Sequence, residues 1–170
     1  MTIYNVIITA RNEEESILIA NILQTSCLRC KNIPYFTGSI TEQEYNTLKS
    51  YGINVQLDCK TKMCSIGLCD VKDGYITISD IKRTISADQT KLTGKNIKIA
   101  VLDTGIDADH PDLIGSVIAS EDALGEGIKG DVLGHGTHMA GCIKNIAPDV
   151  KIVSIRVFDD TGEGTLSGFI

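Results

Sequence analysis

The sequence has no basic block. Its 16 Lys and Arg are outnumbered by 22 Asp and Glu, for a net charge of −6 over 170 residues. Without clustered cations to neutralise phosphates, nucleic-acid binding is not expected. A run of about 18 apolar residues is also missing, so no membrane span is expected. The N-terminus, Met1-Thr2-Ile3-Tyr4-Asn5, has neither a basic region nor a small-residue cleavage site behind an apolar core. No secretory signal is visible, and the expectation is a cytoplasmic protein or one exported by a route these residues do not show.

The six cysteines lack metal-site spacing. Cys27 and Cys30 form a CxxC, and Cys59, Cys64 and Cys69 follow in a Lys-containing stretch. Four thiolates can in principle hold zinc, but these gaps fit no compact zinc-finger pattern. The CxxC does not open a helix after a strand, as a redox motif would. The cysteines read as reduced thiols.

What the chain does have is enough apolar content, 42%, to build packed cores, and a length that suits one ordinary domain or two small ones. Ile3 to Thr9 is a β-rich run. Asn12 and Glu15 form a capping-box signal for a helix from Glu13 to Gln24, with Ile17, Leu18, Ala20, Ile22 and Leu23 as its apolar face. Ile33-Pro34-Tyr35-Phe36 reads as a strand before Gly38. Thr41 and Glu44 form a second capping box, and Gly52 has the place of a helix C′ glycine. Ile53 to Leu57 alternates as a strand. These pieces predict a small α/β sandwich of about 60 residues, with a linker from residue 61 to 77.

From residue 78 the pattern changes. Ile78 to Gln89 is helix-like, and Thr93 to Asn96 is a turn. Ile97-Lys98-Ile99-Ala100-Val101-Leu102 then reads as a strand buried on both faces for most of its length, in the middle of a parallel sheet. Lys151 to Phe158 gives a second such strand, with a Gly-rich loop and a short helix between. The expected class is α/β with parallel crossovers.

Asp103 closes the first of these strands, at the edge where α/β proteins build their sites. An Asp at that place also serves simply as a turn cap. His135 lies in Gly134-His135-Gly136-Thr137-His138-Met139-Ala140-Gly141. Its glycine neighbours leave room beside the imidazole, and Ala140 and Gly141 allow close helix packing. A carboxylate that accepts from one ring nitrogen fixes the tautomer and leaves the other nitrogen as a base.

IAVLDTGIDADHPDL, GHGTHMAG, KIVSIRVF and GEGTLSG follow one another here as they do in the subtilisin family, which residues 78–170 resemble. The resemblance implies that Asp103 is the orienting acid of an Asp-His-Ser triad and His135 its general base, acting on peptide or protein substrates. It implies that Gly162, Glu163 and Gly164 form the cleft edge that pairs with a bound peptide, and that Leu166 walls an apolar pocket. Thr137 and His138 match the motif as helix-start and packing residues. Residues 1–60, with Tyr35-Phe36-Thr37-Gly38, resemble the family's propeptide, a small ferredoxin-like α/β domain that packs on the peptidase and blocks its cleft. Asp112 aligns with a calcium ligand of many members. The insertion that completes that site is absent, and calcium wants about six to eight oxygens, so Asp112 reads as a turn residue, with calcium left as a candidate at an incomplete site.

The serine of the triad and the oxyanion asparagine do not appear. Only 35 residues follow His135, and Ser154, Ser167 and Asn145 stand in the wrong contexts. The expected fold is therefore an incomplete subtilisin-like parallel sheet with flanking helices, behind the propeptide-type domain. The expected function is a serine endopeptidase represented by its N-terminal part, inactive alone. The alternative is a propeptide-like module that binds a partner peptidase. An aspartic peptidase, suggested by Asp103-Thr104-Gly105, would need a second such triplet, and none occurs.

Overall fold

The computed structural model describes residues 2–23, 27–29, 34–63, 78–127 and 130–170. They pack as two units, Met1–Lys60 with Thr165–Ile170, and Thr61–Gly164. The 61–77 linker expectation lies largely outside the described residues, as do Cys30, Cys64 and Cys69.

In the first unit, β1 (Ile3–Thr9), α1 (Glu13–Leu23), β2 (Cys27–Arg29), β3 (Tyr35–Thr41), α2 (Glu42–Ser50) and β4 (Asn54–Leu57) follow in that order. The strands form one antiparallel sheet in the order β2-β3-β1-β4. The strand foreseen at Ile33–Phe36 starts later and runs through Gly38 to Thr41, paired along its length with β1. Period-two alternation sends Val6, Ile8, Phe36, Ile40 and Val55 to the face where Ile19, Leu23 and Leu48 of the helices pack. Full burial of such side chains stabilises by about 1.5–3 kcal/mol each. The capping box at Thr41 is complete, with Glu44 N donating to Thr41 Oγ1 and Thr41 N to Glu44 Oε2. At α1 it is split. Asn12 Oδ1 accepts from Glu15 N, but the Glu15 carboxylate takes Arg11 N and the Arg11 guanidinium instead.

In the second unit, β6 (Lys98–Asp103), β7 (Val117–Asp122) and β8 (Lys151–Arg156) form a parallel sheet in the order β6-β8-β7. A helix, α3 (Ile78–Thr84), precedes it, with a 3-10 turn at Ala87–Gln89 where one longer helix was foreseen. The second helix, α4 (His135–Ile146), seats Ala140 against Val101, Ile106, Leu113, Val150 and Ile152. Two expectations need correcting. Among the described residues β8, not β6, is the central strand, because the unforeseen β7 pairs on its far side. And β6 is not buried on both faces. Burial alternates, with Val101 and Asp103 covered on the α4 side while Leu102 is 38% exposed.

Short β5 (Lys60–Lys62) and β9 (Glu163–Thr165) form a two-stranded sheet, and Met63 N donates to Gly162 O at 2.8 Å. No described helix is long and apolar enough to cross a membrane.

Candidate active site

Asp103 ends β6, and its main-chain carbonyl accepts from Val157 N and Phe158 N, which fixes its backbone to the segment after β8. The residue is buried, 8% exposed. Oδ1 accepts from Thr104 N at 2.7 Å. His135 opens α4 behind Gly134, which takes the left-handed conformation at φ 85° and offers no capping side chain. The His135 Nδ1 lies 2.8 Å from Asp103 Oδ1 and 3.0 Å from Oδ2. The tautomer that satisfies this contact carries its proton on Nδ1, and Nε2 is then an acceptor.

Two glycines permit the approach. A Cβ on Gly136 would overlap the Gly105 carbonyl, and one on Gly105 would overlap the Gly130 carbonyl. The start of α4 therefore rests backbone to backbone on the segment after Asp103.

The sequence reading missed Asp131. Its Oδ1 accepts from Thr104 Oγ1 and Gly134 N, both at 2.8 Å, and its Oδ2 from Thr137 N at 2.8 Å and Thr137 Oγ1 at 2.6 Å. Thr104 Oγ1 accepts from Gly136 N, and Thr137 Oγ1 from Asp107 N. Partial burial pushes the Asp131 carboxyl up, but the hydrogen bonds, led by that of the Thr137 side chain, outweigh it and hold the group below the ordinary aspartate range. The available signal was an acidic residue just ahead of a helix start. Thr137, foreseen as a helix-start residue, is part of this network.

Arg156 was also missed. Opposite Asp103 in the β6–β8 register, it is 1% exposed and reaches Glu126, Asp160 and Asp122 at 2.8, 3.1 and 3.4 Å. Burial pulls its basicity down, but these carboxylates, Glu126 first, raise it above the ordinary value.

Gly162, Glu163 and Gly164 close a hairpin in which Phe158 bridges Gly164 and Asp159 Oδ1 accepts from Thr161 N and Glu163 N. The Thr161 hydroxyl and these amides hold the Asp159 carboxyl below its usual range. A Cβ on Gly164 would overlap the Val157 carbonyl. Leu166 belongs to the other unit, where it begins a 3-10 segment, Leu166–Phe169, and is 39% exposed. The structure thus brings Asp103 and His135 into contact and sets the Gly162–Gly164 hairpin directly after the segment bonded to Asp103.

Asp112 is exposed, and its N–H donates to His110 Nδ1. It lines a pocket of about 550 Å³ with Asp107, His110, Asp131, His138 and Cys142. Among the described residues, no three His, Cys, Asp or Glu side chains are placed to hold one metal ion. Cys59 and Cys142 are free thiols.

A carboxylate at the end of a parallel strand is thus paired with the imidazole that opens α4. Residues 94–168 match the subtilase family. The chain is 37% identical over 83 residues to thermitase of Thermoactinomyces vulgaris, covering 42% of this chain and 30% of that protein. It is 36% identical over 104 residues to serine protease AprX of Bacillus subtilis (strain 168), covering 54% of this chain and 23% of that one. Fervidolysin from Fervidobacterium pennivorans, described as a keratinolytic enzyme related to subtilisin, has a similar fold, with a TM-score of 0.62, 24% identity, and coverage of 94% of this chain and 31% of the other. Over this part of its length the chain is similar to subtilisin-like serine peptidases. It spans less than a third of the length of these relatives.

Proposed function

We propose that the chain carries the acid–base half of an Asp-His-Ser serine endopeptidase whose serine is not among these 170 residues. The observation that carries this reading is the 2.8 Å approach of His135 Nδ1 to Asp103 Oδ1. Asp103 holds the Nδ1 proton, so Nε2 is the free base. It takes the hydroxyl proton as the serine oxygen attacks a peptide carbonyl, and returns it to the leaving amine. Water then hydrolyses the acyl-enzyme. The Gly162–Gly164 edge receives the substrate backbone by strand addition. Ser154 does not suit the nucleophile's role, being 1% exposed within β8, and neither does Ser167, whose hydroxyl is committed to Asp58 Oδ2 at 2.7 Å.

Residues 1–60 act, in this proposal, as the propeptide, residues 61–77 as the linker and residues 78–170 as the start of the peptidase domain. Two observations support that division. The first unit runs strand-helix-strand-strand-helix-strand with sheet order β2-β3-β1-β4, the ferredoxin-like arrangement. The stretch that follows pairs through Met63 with Gly162, on the edge assigned to peptides.

The test is to read the coding sequence past Ile170 and express the protein with any Gly-Thr-Ser segment found there. Hydrolysis of a peptide anilide, lost by about three to four orders of magnitude in Asp103→Asn and comparably in His135→Ala, is the expected result. Full activity in either variant overturns the proposal. The self-contained core of the first unit favours a second reading, a module that inhibits a separate peptidase. Inhibition of a subtilisin-like enzyme by the whole chain, with no serine segment downstream, would select it.

A further inference from the structure

We infer that Asp131 is a positioning residue that sets the separation of Asp103 and His135, an assignment that rests on the proposed acid–base pair and names what holds it in register. The geometry brackets that separation from both sides. The Gly136–Gly105 backbone contact fixes how near the start of α4 can come. What stops it from moving away is a set of hydrogen bonds that converge on one carboxylate.

Each oxygen of Asp131 takes two donors. Oδ1 joins Thr104, the chain neighbour of Asp103, to Gly134, the chain neighbour of His135. Oδ2 holds the amide and hydroxyl of Thr137, one turn into α4. Thr104 closes the loop by accepting from Gly136 N at 3.1 Å. The amides of Gly134, Gly136 and Thr137 are therefore satisfied by two side chains, although Gly134, the residue in the cap position, has none to offer. Helix-start amides left without partners are costly when half buried. Here their satisfaction is combined with a tie to the strand end. The negative charge also sits at the positive end of the helix. Only an ionised carboxylate accepts four hydrogen bonds in this way. An asparagine would turn an NH2 group toward one pair of donors. A shift of about 1 Å in a base costs on the order of a hundredfold in rate, so a clamp on these neighbours bears directly on turnover.

The experiment uses the whole chain, ¹⁵N-labelled at histidine, with tautomer populations and ring-proton exchange read at His135. In the unsubstituted chain His135 is expected to be the single Nδ1–H tautomer with a slowly exchanging ring proton. Asp131→Asn should mix the tautomers and speed that exchange by at least about tenfold, with helix content by circular dichroism unchanged. Thr104→Val should shift His135 the same way, and Thr104→Ser should restore it. A merely structural role would lower the melting temperature without moving the tautomer ratio. Should Asp131→Asn fail to fold, Thr104→Val and Thr104→Ser decide alone. Unchanged His135 signals in Asp131→Asn and Thr104→Val would overturn the inference and leave the Asp103–His135 pair standing. Signals that Asp103→Asn also leaves unchanged would instead remove the pair, and the inference with it.

Discussion

The backbone of Gly136 lies against the carbonyl of Gly105, so closely that a single methyl group at residue 136 has no place to go. This contact lets a helix start and a strand end, 32 residues apart in sequence, share a hydrogen bond between His135 and Asp103. Gly136→Ala is expected to push α4 away, cost about 1–3 kcal/mol as an overpacked site, and break that hydrogen bond. Urea unfolding measures the first effect and histidine NMR the second. Unchanged stability would show that the contact gives way freely.

Asp131 makes an acid-sensitive contribution to stability. Its folded-state pKa lies below the ordinary value of 3.8, so the contribution is fully present above that value and is lost as pH falls through the folded pKa. The stability gap between the unsubstituted chain and Asp131→Asn should be largest near neutral pH and shrink on acidification below pH 3.8. A gap independent of pH would contradict the four-donor assignment.

Arg156 is the most buried cation described, and three carboxylates close around it. Arg156→Ala leaves those charges facing one another and opens a void. A loss of about 3 kcal/mol is expected, at the low end for a broken buried pair because Glu126 and Asp160 are 50% and 45% exposed. Glu126→Gln should cost no more than about 1 kcal/mol. Equal losses in the two variants would place the stabilisation in the single Glu126 pair.

The capping box at α2 is testable by itself. Thr41→Ala removes the acceptor for Glu44 N, and a loss of about 1 kcal/mol is expected in denaturant unfolding. No change would mean water replaces the cap without cost.

Sequence alone made the local features legible. Asp103 and His135 stand in long motifs, and the Thr41 box and Gly52, at φ 70°, have spacings set by helix geometry. Features that depend on tertiary partners were not legible. Val117–Asp122 holds three polar residues in six and becomes a strand because β8 offers it an edge. The two-face burial foreseen for β6 failed because apolar residues do not reveal which face is covered, and Leu102 is partly open. Nor does spacing reveal that the Glu15 carboxylate prefers Arg11 to its own cap residue. Asp131 escaped notice because it caps α4 from outside the usual cap position, across a loop whose path sequence does not specify.

The pairing of Asp103 with His135 carries the peptidase reading of this chain, and the ring proton of His135 reports on it most directly. In ¹⁵N-labelled chain the expected spectrum is one Nδ1-protonated tautomer with a strongly downfield ring proton that disappears in Asp103→Asn. An imidazole with the same tautomer mixture and the same proton exchange in both chains would contradict it.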